Sequence, residues 1–409
     1  MKIIFKLGYL VSIALLFALT NVDITMAADA KATLDTGDTA WMLTSTVIVL
    51  MMTIPGVALF YAGMVRKRNV LATLMQSFAI TCLVTIIWMV VGYSLAFSKG
   101  NSSLIGNLDL AFLNHLTVGA INGTIPDTVF VVFQATFAII TAALITGAVA
   151  ERMKFSALLW FIGLWSVIVY SPVTFWVWGG GFLGAAGVLD FAGGTVVHIN
   201  SGVAALVAAI MVGKRKGYGT DNLAPHNVAL TMIGASLLWV GWFGFNAGSA
   251  VGANGTAGMA MAVTQIAAAA AGLSWMTVEW FHHKKPTLLG IVSGSIGGLV
   301  AITPASGFVD PMGGLIIGLA AGVVCYWGAA ILKPMLGYDD ALDVFAVHGL
   351  GGITGAILTG VFAVQAIGGS AGALEGNAGQ ILIQLQGIVA TILWSGAASA
   401  FILFGIDRV

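Results

Sequence analysis

Charge is what this sequence has least of. Asp, Glu, Lys and Arg make up 8% of its 409 residues, against about 25% in an ordinary soluble domain. So few charges cannot coat a water-facing surface of that size, and a soluble enzyme or binding module is excluded at the outset. The 16 basic and 16 acidic residues cancel, which removes the basic face that a nucleic-acid partner needs. Cysteine is nearly absent too. Cys82 and Cys325 both fall inside apolar runs, which reads as two buried thiols and not as a disulfide framework or a metal pair. No phosphate loop, metal motif or nucleophile–base pair occurs, so no enzymatic activity and no cofactor are expected.

What is present in excess is apolar surface. Hydrophobic residues form 59% of the chain and glycine occurs 54 times. A bilayer takes roughly 20 apolar residues per spanning helix, and small residues let such helices approach closely. Apolar segments occupy about 41–64, 70–97, 128–150, 155–178, 195–213, 228–248, 259–281, 287–303, 312–332, 343–364 and 379–406. This predicts an all-α membrane protein of about eleven transmembrane helices. Ahead of them, Lys2 and Lys6 flank a short apolar run from Leu7 to Thr20, followed by small residues. Residues 1–28 therefore read as a cleaved signal peptide, with cleavage near Ala27 to Ala30 and a membrane domain over 29–409.

Orientation follows from the basic residues. With the mature N-terminus outside, the cytoplasmic loops hold Arg66, Lys67, Arg68, Arg152, Lys154, Lys214, Arg215, Lys216, Lys284, Lys285 and Lys333, and Arg408 ends the chain on the same side. The outer side holds only Lys31 and Lys99. Positive charge thus stays inside at every turn, which predicts a multi-pass protein of the inner (plasma) membrane with a cytoplasmic C-terminus. The sequence stops at Asp407-Arg408-Val409, flush with the last helix, and a cytoplasmic tail or domain is expected beyond it.

Two segments echo one another. Asp190-Phe-Ala-Gly-Gly-Thr-Val-Val-His198 and Asp340-Ala-Leu-Asp-Val-Phe-Ala-Val-His348 open the fifth and tenth helices with the same Asp-to-His spacing. Five helices per unit make the second copy an inverted one, an arrangement that puts a site at the repeat interface. Helices 1–5 (about 41–213) and 6–10 (about 228–364) form the two halves. Helix 11, about 379–406, is left to brace them.

Ionisable residues inside spans are costly and are functional candidates by default. His198 and His348 face one another if the halves are related by a two-fold axis. Such a pair can ligate a metal, ligate haem, hold the fold together, or line a pore. A metal normally asks for three or four ligands, and no third stands nearby in sequence. In a pore the pair offers a donor, an acceptor and a titratable path. Asp190 reads both as a helix cap and as a carboxylate that attracts cations to the entrance. Aromatic residues gather at the expected outer mouth: Trp178 beside three glycines, then Trp239, Trp242, Phe243 and Phe245, with Ser249 close behind and Phe137 near Gln134 slightly deeper. Their faces suit a small cation that has lost its water.

These residues carry a resemblance. Asp190 to Asn200, Trp242-Phe-Gly-Phe-Asn-Ala-Gly-Ser249, Thr303-Pro-Ala-Ser-Gly307, Asp343-Val-Phe-Ala-Val-His348-Gly and Pro55 to Gly63 are similar to the signatures of the Amt/Mep/Rh ammonium transporters, bacterial Amt type. The matches run in order from about residue 41 to 406. The resemblance implies a homotrimer in the lipid bilayer, each subunit carrying its own narrow pore for ammonium or ammonia. It implies an outer recruitment site of Trp178, Ser249 and Phe137 held together by Asp190, a gate of Phe137 and Phe245, and His198 and His348 as twin pore histidines. Thr303 would support the vestibule, with Gln134 and Trp242 as further supporting residues. A regulator of the PII class is the partner implied on the cytoplasmic side. Two other functions stay open: a receptor that reports ammonium to a fused or docked signalling domain, and a channel for carbon dioxide.

Overall fold

The computed structural model describes residues 33–100 and 102–408; the expected signal peptide over residues 1–28 lies outside them. The apolar runs become α1 (Thr36–Met64), α2 (Lys67–Phe97), α3 (Asp127–Ile145), α4 (Phe155–Ala185), α5 (Gly194–Val212), α6 (Val228–Gly248), α7 (Gly255–His283), α8 (Leu288–Ile302), α9 (Pro311–Leu336), α10 (Phe345–Phe362) and α11 (Gly379–Ile406). Ten of these are long and apolar enough to span a membrane, and α8 is the shorter one. The only pairing of strands among the described residues is a two-residue hairpin, β1 (Ile121–Asn122) with β2 (Ile125–Pro126), in the loop before α3. Short polar side chains start several helices by accepting backbone N–H groups: Asp35 for α1, Asn227 for α6, Asn254 for α7, Thr287 for α8 and Asp310 for α9.

The two halves meet where α5 crosses α10. A Cβ added to Gly202 would strike the backbone nitrogen of Gly349, so only glycine lets the two backbones touch there. Both helices open with a π-helical turn, Gly194–Ile199 and Phe345–Leu350, and each turn carries one of the paired histidines. Such turns hold a surplus residue and recur at functional sites. Each histidine therefore sits within the first six residues of its helix.

Helix α11 lies across this junction. Gln384 accepts from Leu189 N–H and donates to the carbonyls of Leu189 and Ala356, and Ser395 donates to Asn200. The final helix thus ties the approach to α5, α5 itself and α10 together.

The loops expected on the cytoplasmic side gather at one end of the bundle, where Arg66 pairs with Glu151, Arg152 and Arg215 with Asp339, and Lys333 with Asp343. Helix α3 stops at Ile145, short of the expected 150, and the chain turns until Glu151, whose φ of 70° is stabilised by bonds from the Arg66 backbone and side chain. One expectation fails. Cys325 is buried, but Cys82 is exposed, one and two turns along α2 from the equally exposed Phe78, Met75 and Ile86. Apolarity does not separate core from periphery in a chain whose surroundings are themselves apolar.

Candidate functional site

Asp190 is buried in the loop before α5. Its Oδ1 accepts N–H bonds from Gly193 (2.8 Å) and Gly194 (2.6 Å), and its Oδ2 from Thr195 (2.8 Å) and Val196 (3.1 Å). Gly193 makes this wrap possible at φ 112°, a conformation that a side chain would strain. The carboxylate therefore fills all its bonding capacity with backbone and organises the helix start. Its own carbonyl accepts the indole N–H of Trp178 at 2.8 Å, so the aspartate also fixes the aromatic residue at the mouth.

From Trp178 a file of rings runs inward. Phe137 meets Trp178 edge-on at 5.9 Å between centroids. Phe137 and Phe245 stack at 4.2 Å and 24°. Phe245 lies 6.0 Å from the His198 ring, and His198 lies 5.3 Å from His348. Phe137 and Phe245 are fully buried, whereas Trp178 and Ser249 are partly exposed. Ser249 donates its hydroxyl proton to the Phe245 carbonyl at 2.8 Å, which leaves its oxygen lone pairs free to accept.

The two histidines face each other through Nδ1 atoms 3.2 Å apart. One Nδ1 donates and the other accepts, so the pair shares a single proton between these atoms. Nε2 of His198 is buried without a protein partner. Around the pair lies a closed pocket of about 10 Å³, walled by Phe245, Trp242, Ile140, Leu144, Val57 and Tyr61, enough for about one molecule the size of water. Beyond it, on the side of the basic loops, a wider chamber of about 230 Å³ opens between His348, Tyr61, Tyr326, Glu279, His283 and Asp343. Tyr61 lines both spaces, and its hydroxyl is tied to the Leu144 carbonyl at 3.0 Å. Sequence reasoning passed over Tyr61, because nothing in Phe60-Tyr61-Ala62 separates it from packing.

Two placements differ from expectation. Trp242 does not belong to the outer mouth: it stacks on His198 at 5.4 Å and 23°. Its indole N–H donates to Thr303 Oγ1 at 2.8 Å, and Thr303 in turn donates to the Leu299 carbonyl at 2.7 Å. Thr303 thus supports the histidine level and not the vestibule. The displacement is one of depth: Trp242 shares a face of α6 with Phe245 but lies one turn earlier, level with His198. Gln134 is buried one turn before Phe137, with its Oε1 unpartnered. Among the described residues no group of three or more His, Cys, Asp or Glu stands close enough to hold a metal ion.

The chain resembles known proteins along nearly its whole length. It matches the profile of the Ammonium Transporter Family over residues 40–409. It is 50% identical over 382 residues to an ammonium transporter of Aquifex aeolicus, covering 93% of this chain and 89% of that protein. The crystal structure of Candida albicans Mep2 superposes with a TM-score of 0.87 at 36% identity, over 92% of this chain and 85% of that one. A solved structure described as a sensor Amt protein superposes at 0.86 with 30% identity, over 91% and 93% of the two chains. Ten apolar spans, twin histidines behind a stacked phenylalanine pair, and kinship along nearly the whole sequence lead to one conclusion: this multi-pass membrane protein belongs to the ammonium transporter family.

Proposed function

We propose that the protein transports ammonium across the plasma membrane, with the mature N-terminus outside, the C-terminus in the cytoplasm and three subunits per assembly. Ammonium is recruited at Trp178, Phe137 and Ser249, gives up its proton near the Phe137–Phe245 gate, and passes the histidines as ammonia. The observation that carries this reading is the pair of stacked rings above a pocket with room for about one small molecule. Ammonium and potassium have nearly the same size and charge, so a cavity that merely fits the ion cannot separate them. Ammonium differs in donating directed hydrogen bonds and in being able to lose a proton. Moving the intact ion through that pocket would cost many kcal/mol. Neutral ammonia pays far less, and the unpartnered Nε2 of His198 offers it a bonding partner. The proton crosses separately along the histidine pair, which makes transport electrogenic. A regulator of the PII class docking on the basic cytoplasmic end belongs to the same reading.

The second reading is a receptor, favoured by the likeness to the structure described as a sensor Amt protein. Purified protein in liposomes on a solid-supported membrane separates the two. The transporter gives a current on ammonium pulses and none on potassium pulses. Saturable ammonium binding without current would establish the receptor instead.

A further inference from the structure

The inverted repeat gives each half one aspartate, and the two are not used alike. Asp190 has both oxygens filled by four backbone donors. Asp340, eight residues before His348 as Asp190 is before His198, is 1% exposed and holds only one oxygen that way: Oδ2 accepts from Phe345 N–H at 2.7 Å, while Oδ1 is buried with no partner. A buried carboxylate oxygen without a donor is costly, and the cheapest remedy is a proton on that oxygen.

The surroundings bear on where such a proton would come from. Asp343 and Val344, in the same loop, line the inner chamber that His348 also lines. Asp343 is held in the left-handed region at φ 59°. Lys333, at the end of α9, pairs with Asp343 at 2.5 Å and reaches the Asp340 carbonyl at 3.4 Å. Arg152 from the loop after α3, Tyr61 from α1, and Tyr338 and Asp339 from the aspartate's own loop complete its charged and titratable neighbours. Across the chamber stand Glu279 and His283 of α7. Burial, reinforced by the charge of Asp343, pushes the Asp340 carboxyl up to about 6 against the pull of Lys333. Behind this wall the bases Arg152 and Arg215 pair with Asp339 and Lys333 pairs with Asp343, so that with Asp340 the cluster holds three bases and three acids.

We propose that Asp340 is a proton-exchanging carboxyl at the inner mouth: when the cytoplasm acidifies, an O–H bond forms on Oδ1 with a proton taken from water, the wall is left with one base in excess, and the exit of ammonium and protons slows. The transported charge is thereby braked by acid on the side it enters. Asp340 is a positioning residue in this scheme, acting through charge at the chamber and not by touching the substrate. The step rests on the reading that charge leaves through this mouth.

Two measurements on the full chain in lipid test it. Infrared titration should show a carboxylic-acid C=O stretch growing between about pH 7 and pH 5. It should be lost in Asp340→Asn and kept in Asp343→Asn. A band that persists in Asp340→Asn, or none in the wild type, overturns the assignment. In liposomes at fixed outer pH, wild-type ammonium current should fall severalfold as the inner pH drops through the same range. Asp340→Asn, fixed in the uncharged form, should give a low and flat profile. An unchanged slope in that variant overturns the brake. Absence of current in the wild type at every inner pH overturns the transport reading and the brake with it, while the infrared band still decides the proton site. Should Asp340→Asn not assemble, Asp340→Glu keeps a carboxyl, and the proposal then requires a displaced infrared midpoint.

Discussion

Nδ1 of His198 and Nδ1 of His348 stand 3.2 Å apart, so a single proton serves both rings. Either ring can be the donor, and moving the proton between them reverses the polarity of the pair. Replacing both residues with leucine removes that relay and leaves the ring file above it in place. Ammonium-driven charge movement should vanish while binding at the outer mouth persists. Full ammonium-selective current in the double variant would take the histidines out of the proton path.

Asp190 invites a simple experiment with a misleading answer. Alanine there strands four buried N–H donors, each worth about 1–3 kcal/mol when left unpaired. We expect Asp190→Ala to lose at least about 3 kcal/mol of stability, read as a lower melting temperature in detergent, together with its transport. Asp190→Asn, which keeps one acceptor oxygen, should melt between the two. A melting temperature equal to wild type in Asp190→Ala would mean that water replaces the carboxylate, and any loss of transport would then report charge alone.

Trp242 offers a cleaner separation of support from chemistry. Thr303→Val removes the acceptor of the indole N–H without changing the volume of the site, at a cost of about 1–3 kcal/mol. The ring that stacks on His198 is then held by packing only. Current amplitude should fall in Thr303→Val and recover in Thr303→Ser, with outer-site affinity unchanged in both. Equal currents in valine and wild type would show that the stack positions itself.

At the basic end, Arg215 grips Asp339 with Nη2 to Oδ1 at 2.8 Å and Nε to Oδ2 at 3.0 Å, both groups being buried. Removing one partner of a buried pair costs about 3–5 kcal/mol, so Arg215→Ala should lower the melting temperature markedly. Burial opposes ionisation of Asp339, but the Arg215 bonds and the Arg152 charge outweigh it and keep the carboxyl below its usual range. The folded state thus favours the anion more than the unfolded chain does. This contribution is complete above the unfolded value of about 3.9 and is lost as pH falls through the lower folded one. Wild type should therefore lose nothing from this carboxylate between neutrality and about pH 4, whereas Arg215→Ala, left with a buried unpaired carboxylate, should recover part of its deficit as acid protonates it. A gap that keeps its full width down to about pH 4 would contradict the pairing.

The architecture was legible because bilayer thickness writes itself into run length, and the basic residues mark every second loop. The roles of those basic residues were not. Arg66, Arg152, Arg215 and Lys333 count as orientation signals in the sequence, yet each is paired with an acid that follows it by between 10 and 187 residues. The file of rings was half visible. Trp178, Phe137 and Phe245 could be singled out as aromatic residues near glycine or a polar neighbour, but the level at which Trp242 lies depends on how deep α6 is set among its neighbours, which a run of Trp239-Val-Gly-Trp242-Phe-Gly-Phe245 leaves open. Tyr61 gave no signal at all, since its place between the two spaces is set by how α1 packs on α3.

Both histidines ride on turns that are one residue too full. If one residue is removed from Gly194–Ile199 or Phe345–Leu350, the turn can close into an ordinary α-helical one: the downstream helix keeps its register, and what changes is the direction of the imidazole. Single-residue deletions in these two stretches should accordingly leave a folded protein whose histidines no longer pair, whereas one in the hairpin loop before α3 should spare the pair. The direction in which each imidazole points is in this sense spelled by length as much as by letter.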